Sequence, residues 1–334
     1  MFKKFLARFG KGAATVDLRF ENRPYFAGET IHGEVHIHGG EVEQKINHAS
    51  ARFMMSVATK QGTATREVAV VPLSGAYSIL AKEQKVIPFT YQIPTNLPVS
   101  RGSIAYYFDT QLDIEGGVDR TDVDRLIVEA PKRVQSIFRA LEGLGFREKP
   151  NSGKVDQYGQ EFAFFPTHLF AGHVSEVELR FSYEETGVYI WMEIDCRSGY
   201  QEIEAKREFF LEDSILQNEE RLAELLHQYI TESVEHPYSY TQPFSYASHY
   251  GHASHHSHGH HHGGSSLGGM IGGLALGILG GVLMSEMLDA LGVDEMVDEM
   301  IEDTAEAFGF DGEDEGEEDE GGFGDFFGGD DEEM

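Results

Sequence analysis

Hydrophobic and polar residues alternate with a period of two through the first third of the chain. Val16, Leu18 and Phe20 alternate with Asp17, Arg19 and Glu21, and Ile31, Val35 and Ile37 alternate with His32, Glu34, His36 and His38. Side chains on a strand point to opposite faces in turn, so each run predicts a strand with one buried and one wet face. Phe53, Met55 and Val57 continue the pattern, and further strand-like runs follow at 67–73, 85–93, 103–114 and 125–129. Ala27-Gly28 and Gly39-Gly40 supply turns, and Pro94 and Pro98 punctuate a connection. About seven strands at short spacing, with no helical period between them, predict an antiparallel β-sandwich over 13–130 and disfavour a βαβ nucleotide-binding unit.

The period changes after Pro131, a residue suited to the first position of a helix. Val134, Ile137, Phe138 and Leu141 then recur at spacings of three and four before Gly143 and Gly145. Alternation returns at 158–165, 174–183, 188–196 and 203–211. Val177, Leu179, Phe181 and Tyr183 form one apolar face, and Ile190, Met192 and Ile194 another. These runs predict a small, barrel-like sheet with the helix lying across it. A second helix is expected from about residue 213, capped by Asp213 or Ser214, with Ile215, Leu222, Leu225, Leu226, Tyr229 and Ile230 on one stripe. Pro237 stops it, so 131–235 reads as a small α+β domain.

Residues 236–262 are rich in Tyr, Ser and His and lack the aliphatic period a core needs, so they read as a linker. The stretch 263–334 combines a Gly-rich apolar run with an acidic tail expected to be disordered.

Charge sharpens this division. The 334 residues carry a formal net charge of −31, but 22 of the 57 Asp and Glu, and no Lys or Arg, lie from Glu286 onward. Nucleic-acid binders neutralise phosphates with basic side chains, so no nucleic-acid partner is expected. The single cysteine, Cys196, makes no intramolecular disulfide, and the opening Met1-Phe2-Lys3-Lys4-Phe5-Leu6-Ala7-Arg8 holds no uninterrupted apolar h-region. The expected compartment is therefore the cytoplasm.

Two segments add a membrane question. In 1–12, Phe2, Phe5, Leu6 and Phe9 share one helical face against Lys3, Lys4, Arg8 and Lys11. That pattern suits peripheral membrane contact, or a short helix packed on the chain's own second domain. Residues 267–284 are uncharged and reach the lower edge of membrane-spanning length, yet seven of the eighteen are Gly and no Lys or Arg flanks them. The spacing of Gly269, Gly273, Gly277 and Gly281 suits close packing in lipid, self-association into a homo-oligomer, or partner binding. Met284, Met287, Leu288, Leu291, Met296, Val297, Met300 and Ile301 then suggest an acidic amphipathic helix fit for a basic-rimmed groove.

Catalytic signatures are missing. No G-x-x-x-x-G-K-[ST] occurs and no G-x-S-x-G elbow is present, since Gly264-Ser265-Ser266-Leu267-Gly268 falls in the Gly-rich stretch and not between a strand and a helix; Cys196 stands in a strand one step from the Ile194 face, as a small hydrophobe would. No Asp or Glu stands in an otherwise apolar segment where burial would raise its pKa, so no catalytic residue and no cofactor is expected. His32, His36 and His38 read as outward polar positions of a half-buried strand, although His36 and His38 could share a metal. The denser metal signal is His249, His252, His255, His256, His258, His260, His261 and His262, which would take Ni²⁺, Zn²⁺ or Cu²⁺ on a flexible chain. Asp311, Glu313, Glu315 and Gly316 imitate the start of an EF-hand loop, but its twelfth position is Gly322 where a bidentate Glu is required.

Several of these segments resemble one family, the bacterial sporulation-control proteins with an arrestin-like N-terminal domain. The resemblance rests on the opening Met1-Phe2-Lys3-Lys4-Phe5-Leu6, on Gly28-Glu29 and Gly33-Glu34-Val35, and on Gly40-Glu41-Val42-Glu43-Gln44-Lys45-Ile46, its most specific part. It continues in Phe89-Thr90-Tyr91-Gln92-Ile93-Pro94, in Leu112-Asp113-Ile114 and in Asp119-Arg120-Thr121-Asp122, and covers 1–235. It implies an arrestin-like β-sandwich followed by a small β-rich, SH3-like domain. It also implies a non-enzymatic regulatory role in sporulation or a related developmental or cell-division process. The implied partners are cytoplasmic regulatory, protease or cell-division proteins; no catalytic residue is implied, and no partner-binding residue is singled out. The His-rich linker and acidic tail depart from the family pattern, and the alternative they raise is storage or delivery of Ni or Zn through the His tract.

Overall fold

The computed structural model describes residues 12–59, 62–156, 158–199, 201–246 and 277–278. Ten strands build the first unit: β1 (Thr15–Phe20), β2 (Tyr25–Phe26), β3 (Thr30–His38), β4 (Gln44–Thr59), β5 (Gly62–Ser74), β6 (Tyr77–Ile79), β7 (Gln84–Gln92), β8 (Ile104–Ile114), β9 (Arg120–Leu126) and β10 (Val128–Glu129). They pair as one sheet in the order β1-β3-β7 and a second in the order β5-β4-β8-β9, with β6 on β4 and a short parallel pair of β10 with β2.

Alternation drives the sandwich. Val16, Leu18, Ile31, Val35 and Ile37 of one sheet meet Phe53, Met55, Phe108 and Leu112 of the other, and β8 buries every second residue along its whole length. Phe108 lies at the centre, with the rings of Phe20, Phe53, Phe89 and Tyr91 at 5.8, 5.1, 5.1 and 5.6 Å. The turn at Ala27-Gly28 is realised with Gly28 at φ +88°, a conformation glycine adopts without strain. The run expected at 125–129 divides into β9, which begins earlier, and β10, because the chain switches partners at Ile127, whose carbonyl accepts from the Tyr25 amide at 2.9 Å.

The second unit comprises α1 (Lys132–Gly143), β11 (Phe146–Glu148), β12 (Lys154–Asp156), β13 (Gly159–Pro166), β14 (Val174–Glu184), β15 (Gly187–Ser198), β16 (Gln201–Glu212), α2 (Asp213–Leu216) and α3 (Glu219–Glu235). Its antiparallel sheet runs β11-β13-β14-β15-β16, with β12 on β13. Val134, Ile137, Phe138 and Leu141 of α1, and Leu222, Leu226 and Ile230 of α3, cover one face, against Phe162, Leu179, Phe181, Ile190 and Met192. This is the small β-rich unit with flanking helices that was expected; among the described residues β11 does not pair with β16, so its barrel-like sheet is open, with the helices forming a second layer. The helices bury one face and the strands turn charge to the other, so burial is complete without closure.

Two expectations from the pattern need correction. The helix expected from about residue 213 is two helices, because the chain breaks at Gln217-Asn218. The cap of the longer one is Asn218, whose side chain accepts from the Arg221 amide at 3.0 Å, and neither Asp213 nor Ser214. The start of the expected linker is part of the fold. Pro237–Tyr240 forms a 3₁₀ turn against β16, and the chain then crosses the outer sheet face as far as Tyr246.

The units are joined by buried contacts. Val99 and Ala130 belong to the second core. Arg101 donates to Glu129 at 2.8 Å and lies 3.4 Å from Glu148. No helix of the described residues is long and apolar enough to cross a membrane.

Candidate functional site

The outer face of the second sheet follows from the same alternation that builds its core. Between Val177, Leu179 and Phe181, β14 turns Glu178 and Arg180 outward. Between Ile190, Met192 and Ile194, β15 turns out Trp191 and Glu193. Glu161 comes from β13 and Lys206 from β16, and the strand of chain after Tyr240 brings Pro243, Phe244 and Tyr246 over them as a strap. Together these residues line a cleft of about 620 Å³.

Aromatic rings form its roof. Trp191 is 1% exposed although it lies on the face away from the helices, because the Tyr246 ring sits 5.1 Å away and Tyr189 5.0 Å away. Tyr158 stacks on Tyr246 at 4.6 Å, and Phe244 packs against Tyr246 at 5.6 Å. The Ser245 amide donates to Glu208, which ties the strap to β16.

Charges form its floor. Arg180 donates to both oxygens of Asp156, at 2.7 and 2.9 Å, and to Glu161 at 2.6 Å, so its charge is fully neutralised. Lys206 lies between Glu193 at 3.2 Å and Glu204 at 2.7 Å. Burial pushes the Glu178 carboxyl up to about 8, reinforced by Glu161, Glu176, Glu193 and Asp195. Burial likewise takes Asp195 to about 7, with Glu193 the next cause. With its pKa raised this far, the Glu178 carboxyl can hold its proton near neutral pH, and a protonated carboxyl can donate a hydrogen bond where an ionised one would only accept. The arrangement offers apolar ring faces beside groups that accept and donate hydrogen bonds, the mixture found where one polypeptide meets another.

These carboxylates correct the expectation that no Asp or Glu is buried enough to shift. The expectation considered only apolar segments, whereas here neighbouring acids and the strap desolvate residues on a polar face. Trp191 was the legible signal, a large ring standing outward between Ile190 and Met192. The strap gave none, since its aromatic residues lie in a stretch without periodicity.

Other candidates fall elsewhere. Cys196 is buried, its sulfur 3.6 Å from the Ser233 carbonyl, and burial pushes the thiol up to about 11, leaving it a core residue. His32 is exposed and His36 and His38 half-buried on β3, where His36 Nε2 lies 3.1 Å from Glu34. Among the described residues no three His, Cys, Asp or Glu are gathered as a metal would require. Phe2, Phe5, Leu6 and Phe9, and His249, His252, His255, His256, His258, His260, His261 and His262, lie outside the described residues.

Comparison with known proteins completes the picture. Residues 2–199 match the Spo0M family model, whose description is SpoOM protein. Sporulation-control protein Spo0M of Bacillus subtilis strain 168 is 31% identical over 255 residues, spanning 70% of this chain and 99% of that one. The crystal structure of Spo0M from Bacillus subtilis aligns with a TM-score of 0.55 at 28% identity, over 66% of this chain and 99% of that chain. With more than half of the sequence matched by the family model, and a relative matched over nearly its whole length, the chain belongs to the Spo0M family.

Proposed function

We propose that this protein is a non-enzymatic regulator of sporulation, or of a related developmental or cell-division process, that works by binding cytoplasmic regulatory, protease or cell-division proteins. The observation that carries the reading is the match to a protein named for sporulation control across 99% of that protein's length, both β units included. The contact surface we favour is the side of the sandwich where edge strands β5 and β7 approach each other. There Val70 and Val86 are 46% and 51% exposed, apolar side chains on strands that, among the described residues, pair within their sheets on one side only. Edge strands offer unpaired backbone groups to an extended segment of a partner, and the side chains beside them select it.

Complementation tests this. A Bacillus subtilis strain lacking its Spo0M is given the full chain, or the double variant Val70→Lys with Val86→Lys. The full chain is expected to alter sporulation frequency towards that of the parent. The variant should unfold at the same temperature and fail to do so. If neither chain changes sporulation, the regulatory reading is rejected; if both act equally, contact through these edges is rejected.

A further inference from the structure

Strand β14 is paired on both sides for only part of its length. β15 accompanies it from Val174 to Glu184, but on its other side β13 pairs with it only between Phe164↔Val177 and Phe162↔Leu179. Beyond Phe162, β13 turns to β12, with Gln160 opposite Val155 and Gly159 opposite Asp156. The guanidinium of Arg180 bridges the divergence, donating to the Gly159 carbonyl at 3.1 Å and to Asp156. Past that point, among the described residues, the edge of β14 has no partner from the second unit's meander. Yet Ser182 is 0% and Tyr183 3% exposed, so water does not serve their backbone groups, and a buried unpaired amide or carbonyl is costly.

A distant part of the chain pairs there. The two-residue strand β17 (Gly277–Ile278) runs antiparallel to β14, with Ser182 opposite Ile278 and Tyr183 opposite Gly277. We propose that this stretch of the β14 edge is a strand-accepting site and that the chain's own Gly-rich segment, seated at Gly277–Ile278, is its resident occupant, closing the edge to extended segments of other proteins. The inference stands on the strand pairing and goes beyond the regulatory reading.

The sequence of the segment suits this use. Residues 267–284 carry no charge, so docking draws on backbone hydrogen bonds and apolar contact, and salt leaves it in place. Gly277 brings a bare backbone opposite Tyr183, as glycine does where another chain must come close. Two residues of pairing are too few to hold by themselves. Occupancy depends on tethering: about 30 residues separate Tyr246 from Gly277, short enough to keep the segment at a high local concentration. A weak, tethered strand of this kind yields to a longer uncharged, glycine-containing strand that pairs with more of residues 180–184. The site therefore selects for extended apolar segments and is gated by the chain itself.

Hydrogen exchange on the full chain tests the proposal, comparing the natural sequence with Ile278→Pro and with Gly277→Pro. Proline cannot donate to a ladder, and neither substituted position belongs to the two hydrophobic cores. Within residues 181–184, the amide facing away from β15 is expected to exchange roughly fivefold to tenfold faster in either variant, the worth of about one hydrogen bond. The amides of 189–195 should be unchanged. Added salt and dilution should leave the natural protein's protection intact. A synthetic peptide of residues 270–284 with terminal lysines, added to the Ile278→Pro chain, should restore it. Equal exchange in all three chains would overturn the proposal. So would loss of protection on dilution, which would assign the strand to a second copy, and so would failure of the peptide to protect the variant.

Discussion

Gln160 holds the backbone of Val99 with both atoms of its amide. Oε1 accepts from the Val99 amide at 2.6 Å, and Nε2 donates to the Val99 carbonyl at 3.2 Å. The same Nε2 donates to the Gly153 carbonyl at 3.0 Å, and the side chain has no exposure to water. Val99 lies between β7 and β8 of the sandwich while its side chain packs in the second core, so this glutamine on β13 ties one unit to the other.

Replacing it should cost far more than a typical glutamine. Gln160→Leu leaves the Val99 amide and the Gly153 carbonyl without partners, while the Val99 carbonyl keeps the Arg101 amide at 2.8 Å, and each orphan costs about 1–3 kcal/mol. Allowing for relaxation, we expect a loss of roughly 2–4 kcal/mol in denaturant unfolding. A change under about 0.5 kcal/mol, the usual effect of a surface substitution, would mean that the units are not joined here.

The strap makes a spectroscopic prediction. The chain has a single tryptophan, Trp191, buried beneath Tyr246. Tyr246→Ala should shift its emission to the red and raise its quenching by acrylamide severalfold. The aromatic pair itself is worth about 0.5–1.5 kcal/mol, so the domain should remain folded. Unchanged quenching would show that the strap does not shield the ring.

The sandwich was legible because its burial alternates strictly, as in β8, where every buried position but Thr110 is hydrophobic. In the second sheet the helix-facing side was equally legible from Val177, Leu179 and Phe181. The candidate site was not, for a physical reason. Its outward residues, Glu178, Arg180 and Glu193, have the composition of a solvated face, and only the return of Pro243, Phe244 and Tyr246 across that face takes them out of water. No local period encodes a contact between segments this far apart in sequence. The break before α3 was missed for a smaller reason: Asn218 caps a helix as well as Asp213 or Ser214 would, and three capping residues stand within six positions.

Glu178 gives stability a pH dependence of defined sign. Its folded pKa, about 8, lies above the ordinary value of 4.5, so between those limits the folded state holds the proton more tightly than the unfolded chain. Stability is therefore highest below about pH 4.5 as far as this group is concerned, and declines as pH rises towards 8. Glu178→Gln removes the ionisation, so the variant should gain on the natural protein progressively across that window. The gain should reach roughly 1–2 kcal/mol, less than the full linkage because the carboxyl is partly solvated. Parallel stability curves from pH 5 to 9 would contradict this assignment.

Arg207 anchors the start of the strap from the other face of the sheet. Its guanidinium lies between two tyrosine rings, 4.4 Å from the centroid of Tyr229 on α3 and 4.4 Å from that of Tyr240 at the end of the 3₁₀ turn. It also donates to the Tyr229 carbonyl at 3.0 Å and to Glu232 at 2.9 Å. A lysine keeps the charge but not the planar fork that stacks on both rings while reaching the carbonyl. Arg207→Lys should therefore lose about 1–2 kcal/mol from the stacking and the carbonyl bond. If Tyr240 transmits this anchor to Tyr246, the same change should raise acrylamide quenching of Trp191 on the far side of the sheet, with the side chain there untouched. Combining Arg207→Lys with Tyr246→Ala should then give less than the sum of the two quenching increases, because both release the same strap. Strict additivity would mean that the turn and the strap are held independently, leaving Arg207 to pin α3 alone.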